Sequence, residues 1–271
     1  MHKRFLKQKG LKILKISLIL FISSMMIKCH NDDATGNAED ENQNQISEEV
    51  LVELERMGFN TKKHPIQVYK NGYIVEGDII ISQDLFKQFG LHSAKQRYTS
   101  EDGLVACRLA KKIKIKNSLP NGTPKKAVAG AIKNWNNVSG SFLKFVLVDN
   151  NEDIIIKGDK GVLFKDFAGA ADIPFDSKAG KEMIINLDFK SRGRSMNLEE
   201  WRTTIEHELG HSIGFEHTDD KRFGRLVPGT PVKDNNSLML TSQFVPWNLS
   251  EGDKKALRKM YGPGNNLCSK S

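Results

Sequence analysis

The chain has 271 residues, enough for one large domain or a small unit beside a medium one, and either can bury a core. Its formal charge of +8 suggests an anionic partner until the excess is located. Residues 1–28 carry seven of the 41 Lys and Arg and no acid, and without them 34 bases face 33 acids, a net of +1, so nothing in the balance argues for nucleic acid.

The basic leader reads as a bacterial export signal. Lys3, Arg4, Lys7, Lys9, Lys12 and Lys15 precede an apolar run from Ile16 to Ile27 that is too short for a stable membrane anchor. Cys29 ends the run, where a lipoprotein signal places the cysteine that is cleaved before and acylated; Lys28 stands where such signals usually carry a small residue, and an unacylated Cys29 in a longer leader is the alternative. An exported protein is expected, lipid-anchored at the cell surface or outer membrane, or secreted, with a lipid as its one link to a membrane. Residues 29–46 are almost wholly polar and cannot offset their chain entropy by burial, so they are expected to be a disordered tether. If Cys29 is acylated, Cys107 and Cys268 make an even pair in an oxidising compartment. A disulfide would staple the ends of the domain; two free thiols are the alternative.

A first folded unit, 47–97, opens with Ser47 as the cap of a helix through Val50, Leu51, Leu54 and Met57, stopped near Gly58. Two strands, 66–69 and 73–81, meet at Asn71-Gly72, a strong hairpin signal. A short helix over 84–89 ends at Gly90. Few core residues fall here, so this unit is expected to lean on the next one, 98–262, with a tail at 263–271.

The second unit starts with a strand over 112–116, where Ile113 and Ile115 alternate with lysines. Thr123 caps a helix with Pro124 at its first position, and Val128, Ala131, Ile132 and Trp135 give it a 3.6-residue apolar stripe. Strands over 142–148 and 153–157 follow, joined by the Asp149-Asn150-Asn151 turn, and another covers 183–187. Asn197 and Glu200 form a capping box for a helix running to about Ile213, and Ser250 and Asp253 form one for a helix to Tyr261.

Residues 207–217 read HELGHSIGFEH and hold three of the seven histidines. Residues four apart share a helix face, so His207 and His211 can offer imidazole nitrogens to one ion at roughly 2.0–2.1 Å. Glu208 points to the side and can act on a water as general base without being a ligand. His217 cannot reach the ion from a continuing helix. Gly214 can take the left-handed conformation that ends a helix and swings His217 back. Three neutral imidazoles and a water would complete a catalytic zinc site.

The pattern His-Glu-x-x-His-x-x-Gly-x-x-His resembles the metzincin metallopeptidases. GFEHTDD, the Ser237-Leu238-Met239 turn and SEGDKKALRKMYG look like the dual-action HEIGH metallopeptidases related to myxobacterial protease B. Leu209 replaces that family's isoleucine, and Thr218 separates His217 from Asp219. Leu240 and Thr241 stand where astacin relatives carry a tyrosine, so no tyrosine ligand is expected.

The resemblance implies an α+β fold with a twisted mixed sheet, an active-site helix and a C-terminal helix. It also implies Met239 beneath the metal, one zinc ion, and a peptide or protein substrate paired along an edge strand within 161–168. A monomeric endopeptidase follows. Val75-Glu76-Gly77-Asp78-Ile79 resembles the acidic latch of astacin precursors, which makes 47–97 a pro-segment with Asp78 over the zinc; an ordinary turn acid is the alternative. The competing function is an inactive zinc-binding surface lipoprotein acting as a binding module.

Overall fold

The structure, a computed structural model, describes residues 46–91, 103–160, 166–219, 225–241 and 248–264. The leader, Cys29, the tether and Cys268 lie outside the described residues.

Helix α1 (Glu48–Met57) starts at Ser47, whose hydroxyl accepts the Val50 N–H at 3.4 Å, and stops at Gly58, where φ is 104°. Strands β1 (Gln67–Tyr69) and β2 (Gly72–Val75) form the expected hairpin, with Lys70 left-handed in its turn. The second expected strand is two strands. Glu76 at φ 52° and Gly77 at φ 98° fold the chain back, so that β3 (Ile79–Ile81) runs antiparallel to β2 with Asp78 in the turn. Helix α2 (Gln83–Leu91) continues through Gly90.

Helix α3 (Cys107–Ala110) is one turn that the sequence pattern missed; Cys107 is disulfide-bonded, and Cys268, the partner expected for it, lies outside the described residues. In β4 (Ile113–Asn117) both isoleucines are buried. Helix α4 (Thr123–Asn136) takes Gly122 rather than Thr123 as its cap, and buries Val128, Ala131, Ile132 and Trp135. The strands β5 (Phe145–Leu147) and β6 (Ile154–Asp159) are not a hairpin, because both run parallel to β4 on opposite sides of it.

After β7 (Gly169–Asp172) and β8 (Glu182–Asn186) comes an unforeseen small hairpin of β9 (Lys190–Ser191) and β10 (Arg194–Ser195). Helices α5 (Leu198–Ser212) and α6 (Glu251–Tyr261) both open with the capping boxes read from the sequence. The result is the expected α+β fold.

Eight strands form one mixed sheet in the order β1-β2-β3-β7-β8-β6-β4-β5. The main core gathers Ile115, Ile156 and Met183 from the sheet, Trp135 from α4, Leu209 from α5 and Leu257 from α6. A second cluster joins Leu54, Phe59, Val75, Ile79 and Leu85 to Ile173, so the N-terminal stretch completes its core with a residue from beyond β7. A free edge strand is expected within 161–168. Of that span, 161–165 lie outside the described residues, and β7 is interior because β3 pairs with it in parallel, Ile79 opposite Ala171 and Ile80 opposite Asp172.

Candidate metal centre

Helix α5 is buried from Glu200 to Ser212, so its histidines face protein on every side. Its end is set by Gly214 at φ 94°. The Gly214 N–H donates to the His211 carbonyl and the Phe215 N–H to the Gly210 carbonyl, the paired bonds of a Schellman turn. A Cβ at Gly214 would stand 2.3 Å from the Gly103 carbonyl oxygen. The turn carries His217 back toward the helix, with ring centroids 5.4 Å from His207 and 4.8 Å from His211.

Met239 lies beneath this helix. A Cβ on Gly210 would meet its sulfur at 2.5 Å, so glycine at that position lets the methionine turn come close. The turn is held from α6: Asp253 accepts from the Ser237 hydroxyl at 2.7 Å and from the Leu238 N–H at 2.8 Å. Leu238 in turn accepts the His207 Nδ1–H at 2.8 Å.

Asp78 enters from the β2–β3 turn. Its carboxylate lies 3.2 Å from His217 Nε2, 3.5 Å from His207 Nε2 and 3.8 Å from His211 Nε2. The four residues are buried and offer ligand atoms within 4.8 Å of one another. Glu208 sits beside them over β7, where a Cβ on Gly169 would come within 2.8 Å of its Oε1. Both Glu208 oxygens are buried with no hydrogen-bond partner among the described residues, and so is Asp78 Oδ1.

The donor set fits a divalent transition metal. The Nδ1 atoms of His207 and His211 face the carbonyls of Leu238 and Phe215, which can only accept, so each Nδ1 carries the proton. In the neutral ring Nε2 is then a lone pair, and these two Nε2 atoms stand 2.9 Å apart. Lone pairs converging at that distance beside a carboxylate are favourable when a cation lies between them, and three imidazoles with one oxygen suit zinc.

The titrations follow the same crowding. Burial would raise Asp78, but the charge of His217 and its contact at 3.2 Å hold it well below the carboxylate range. Burial and then the charges of its two neighbouring histidines push His211 down. Burial, reinforced by the Asp78 charge, pushes Glu208 well up. For His217 burial is outweighed by Asp78 and Glu76, which raise it.

Of the residues named from sequence, the structure brings together His207, His211, His217, Glu208, Met239 and Asp78. Glu76, Gly169 and Asp253 were not identified as parts of the site. Glu76 stands two residues before Asp78 in the latch segment and Asp253 in a capping box, and neither pattern assigns those two side chains to the site.

No family model and no curated protein sequence matches the chain. Among solved structures it is similar to myroilysin, at 14% identity and TM-score 0.39 over 59% of this chain and 85% of that one. A second myroilysin crystal structure gives 17% identity and TM-score 0.37 over 56% and 84%. High choriolytic enzyme 1, a hatching enzyme zinc-protease from the medaka fish Oryzias latipes, gives 17% identity and TM-score 0.36 over 60% of this chain and 95% of that one.

Proposed function

We propose that the chain is a zinc-dependent endopeptidase kept inactive by its own N-terminal segment. The observation that carries this reading is the convergence of three imidazoles beside one carboxylate, with Glu208 next to them lacking a hydrogen-bond partner among the described residues. Zinc would be held by His207, His211 and His217 through Nε2, with the Asp78 carboxylate at its fourth position. Bound there, it would supply Lewis acidity, polarising a scissile carbonyl and easing the deprotonation of water.

The chain's own residues do the rest. Glu208, with no hydrogen-bond partner among the described residues, would take the proton of an attacking water on its carboxylate and pass it to the departing amine, acting as base and then as acid. Gly169 leaves the space in which that carboxylate sits. A substrate backbone would pair along β7, whose one side is taken by β8 and whose other side is taken by β3. The N-terminal segment, 47–97, therefore blocks twice, with Asp78 at the metal and β3 at the strand. Export by the leader and anchoring through Cys29 complete the proposal of an enzyme working outside the cytoplasm.

The test compares the full-length protein, Asp78→Ala, and Asp78→Ala with Glu208→Ala, each before and after a brief, quenched trypsin digestion, on a peptide library with and without chelator. All three should hold about one zinc. Asp78→Ala should cleave peptides faster than the parent, faster still after digestion, and lose this with chelator. Adding Glu208→Ala should lower cleavage by roughly 10²–10⁴-fold. Zinc retained with no cleavage from any form would reject the enzyme in favour of a metal-binding module.

A further inference from the structure

Resting on the zinc reading above, we propose that Glu76 is a positioning residue for His217, so that the N-terminal hairpin strengthens the metal site it also blocks. A histidine ligand is oriented by whatever holds its other ring nitrogen. In this site two of those partners are backbone carbonyls local to the metal unit: Leu238 for His207 at 2.8 Å and Phe215 for His211 at 2.9 Å. The third is of a different kind. His217 Nδ1–H donates to Glu76 Oε2 at 3.3 Å, a carboxylate 141 residues earlier in the chain.

Glu76 is itself fixed. It is 3% exposed, and its Oε1 accepts the Asn60 N–H at 3.1 Å. Its backbone is left-handed at φ 52°, a conformation that glycine or asparagine adopts with less strain, so a glutamate there suggests that its side chain is needed. The next residue, Gly77, cannot carry a side chain, because a Cβ would meet the Phe167 ring at 1.8 Å. That contact seats the turn against the metal unit and brings both carboxylates to His217, Glu76 at Nδ1 and Asp78 at Nε2.

A carboxylate on Nδ1 fixes the tautomer and makes Nε2 more basic, which tightens metal binding. When the hairpin leaves, His207 and His211 keep their carbonyl partners and His217 loses the partner described here. Metal and hairpin must then favour one another equally, since coupling between two binding events is reciprocal.

The experiment measures zinc affinity of the full-length protein by competition with a chromophoric chelator, for the parent, Glu76→Ala and Glu76→Gln, together with melting of the metal-free and zinc-loaded forms. Glu76→Ala should weaken zinc binding about 10–100-fold. Glu76→Gln, which keeps an acceptor without the charge, should fall between, and the zinc-induced rise in melting temperature should shrink in the same order. A parent that takes up no zinc would overturn the metal reading itself. If the parent binds zinc, an alanine variant within twofold of it overturns the role of Glu76 alone. So does a glutamine variant that restores nothing while both metal-free variants melt equally early, because that pattern belongs to the fold of the turn.

Discussion

At the scale of single residues, the site depends as much on side chains that are missing as on those present. Gly169 and Gly210 each stand where a methyl group would collide with a functional neighbour, Glu208 in one case and Met239 in the other. The two collisions have different consequences. Gly210 lies between the two helical histidines, so a larger residue there disturbs the candidate metal site and the core together. Gly169 lies on β7, and the atoms nearest a Cβ there all belong to Glu208. Gly169→Ala should therefore leave zinc stoichiometry unchanged while displacing the base. A misplacement of about 1 Å at a reacting group costs on the order of 10²-fold in rate. Measured in the Asp78→Ala background, peptide cleavage should fall by about that factor at constant zinc content; unchanged cleavage would mean that Glu208 does not work from this position.

At the scale of elements, the metal centre is an assembly of helix ends. Helix α5 supplies two histidines and stops at Gly214 to supply the third. Helix α6 holds the site from beneath through its N-terminus: Asp253 closes the capping box with Ser250, binds Ser237 and Leu238, and so fixes the carbonyl that orients His207. The other end of α6 holds the same helix, since the Tyr261 hydroxyl donates to the Ile213 carbonyl at 2.6 Å. Asp253→Ala would leave the Leu238 N–H and the Ser237 hydroxyl without this buried acceptor, at a cost of about 3 kcal/mol. A melting temperature lower by roughly 5–10 °C is expected. Calorimetry of the metal-free variant checks this, and a loss below 1 °C would show that the turn stands without α6.

These connections also mark how far the sequence could be read. The helix stop at Gly214 and both capping boxes depend on neighbours within a few residues, and their patterns are visible in a linear chain. So is the spacing of the three histidines. Two of their partners are not, because they arrive through tertiary contact: Leu238 for His207 from 31 residues away and Glu76 for His217 from 141. The break between β2 and β3 was hidden for a related reason. Val75, Ile79, Ile80 and Ile81 read as one β-branched run, and the reversal at Glu76 depends on a left-handed glutamate that local propensity disfavours. The pairing of β3 with β7 was hidden in the same way, since no periodicity in either segment reveals it.

At the scale of the whole molecule, the N-terminal segment is built into the sheet, and the seam between β3 and β7 decides how firmly it stays. Across the seam Tyr69 donates to Glu182 at 3.2 Å, Lys70 pairs with the same carboxylate, and Lys157 approaches it from the other side at 2.9 Å. Asp172, on β7, accepts the Glu182 N–H at 3.1 Å. Burial first, and then the negative charge of Glu182, push the Asp172 carboxyl up to about 7, against the pull of Lys70 and the N–H bonds from Glu182 and Lys181. A carboxyl raised in the folded state binds its proton more tightly there than in the unfolded chain. Its stabilising contribution is therefore present at low pH and is lost as pH climbs from about 4 to about 7. Above that range an ionised Asp172 repels Glu182, the residue that the N-terminal hairpin grips. Asp172→Asn keeps an acceptor for the Glu182 N–H and removes the charge. Its melting temperature should match the parent near pH 4 and exceed it by several degrees at pH 8, with the gap opening between the two. Melting curves of the metal-free full-length proteins across that range provide the measurement. A gap that stays constant with pH would remove Asp172 as the source and leave the seam governed by the Glu182 ion pairs alone.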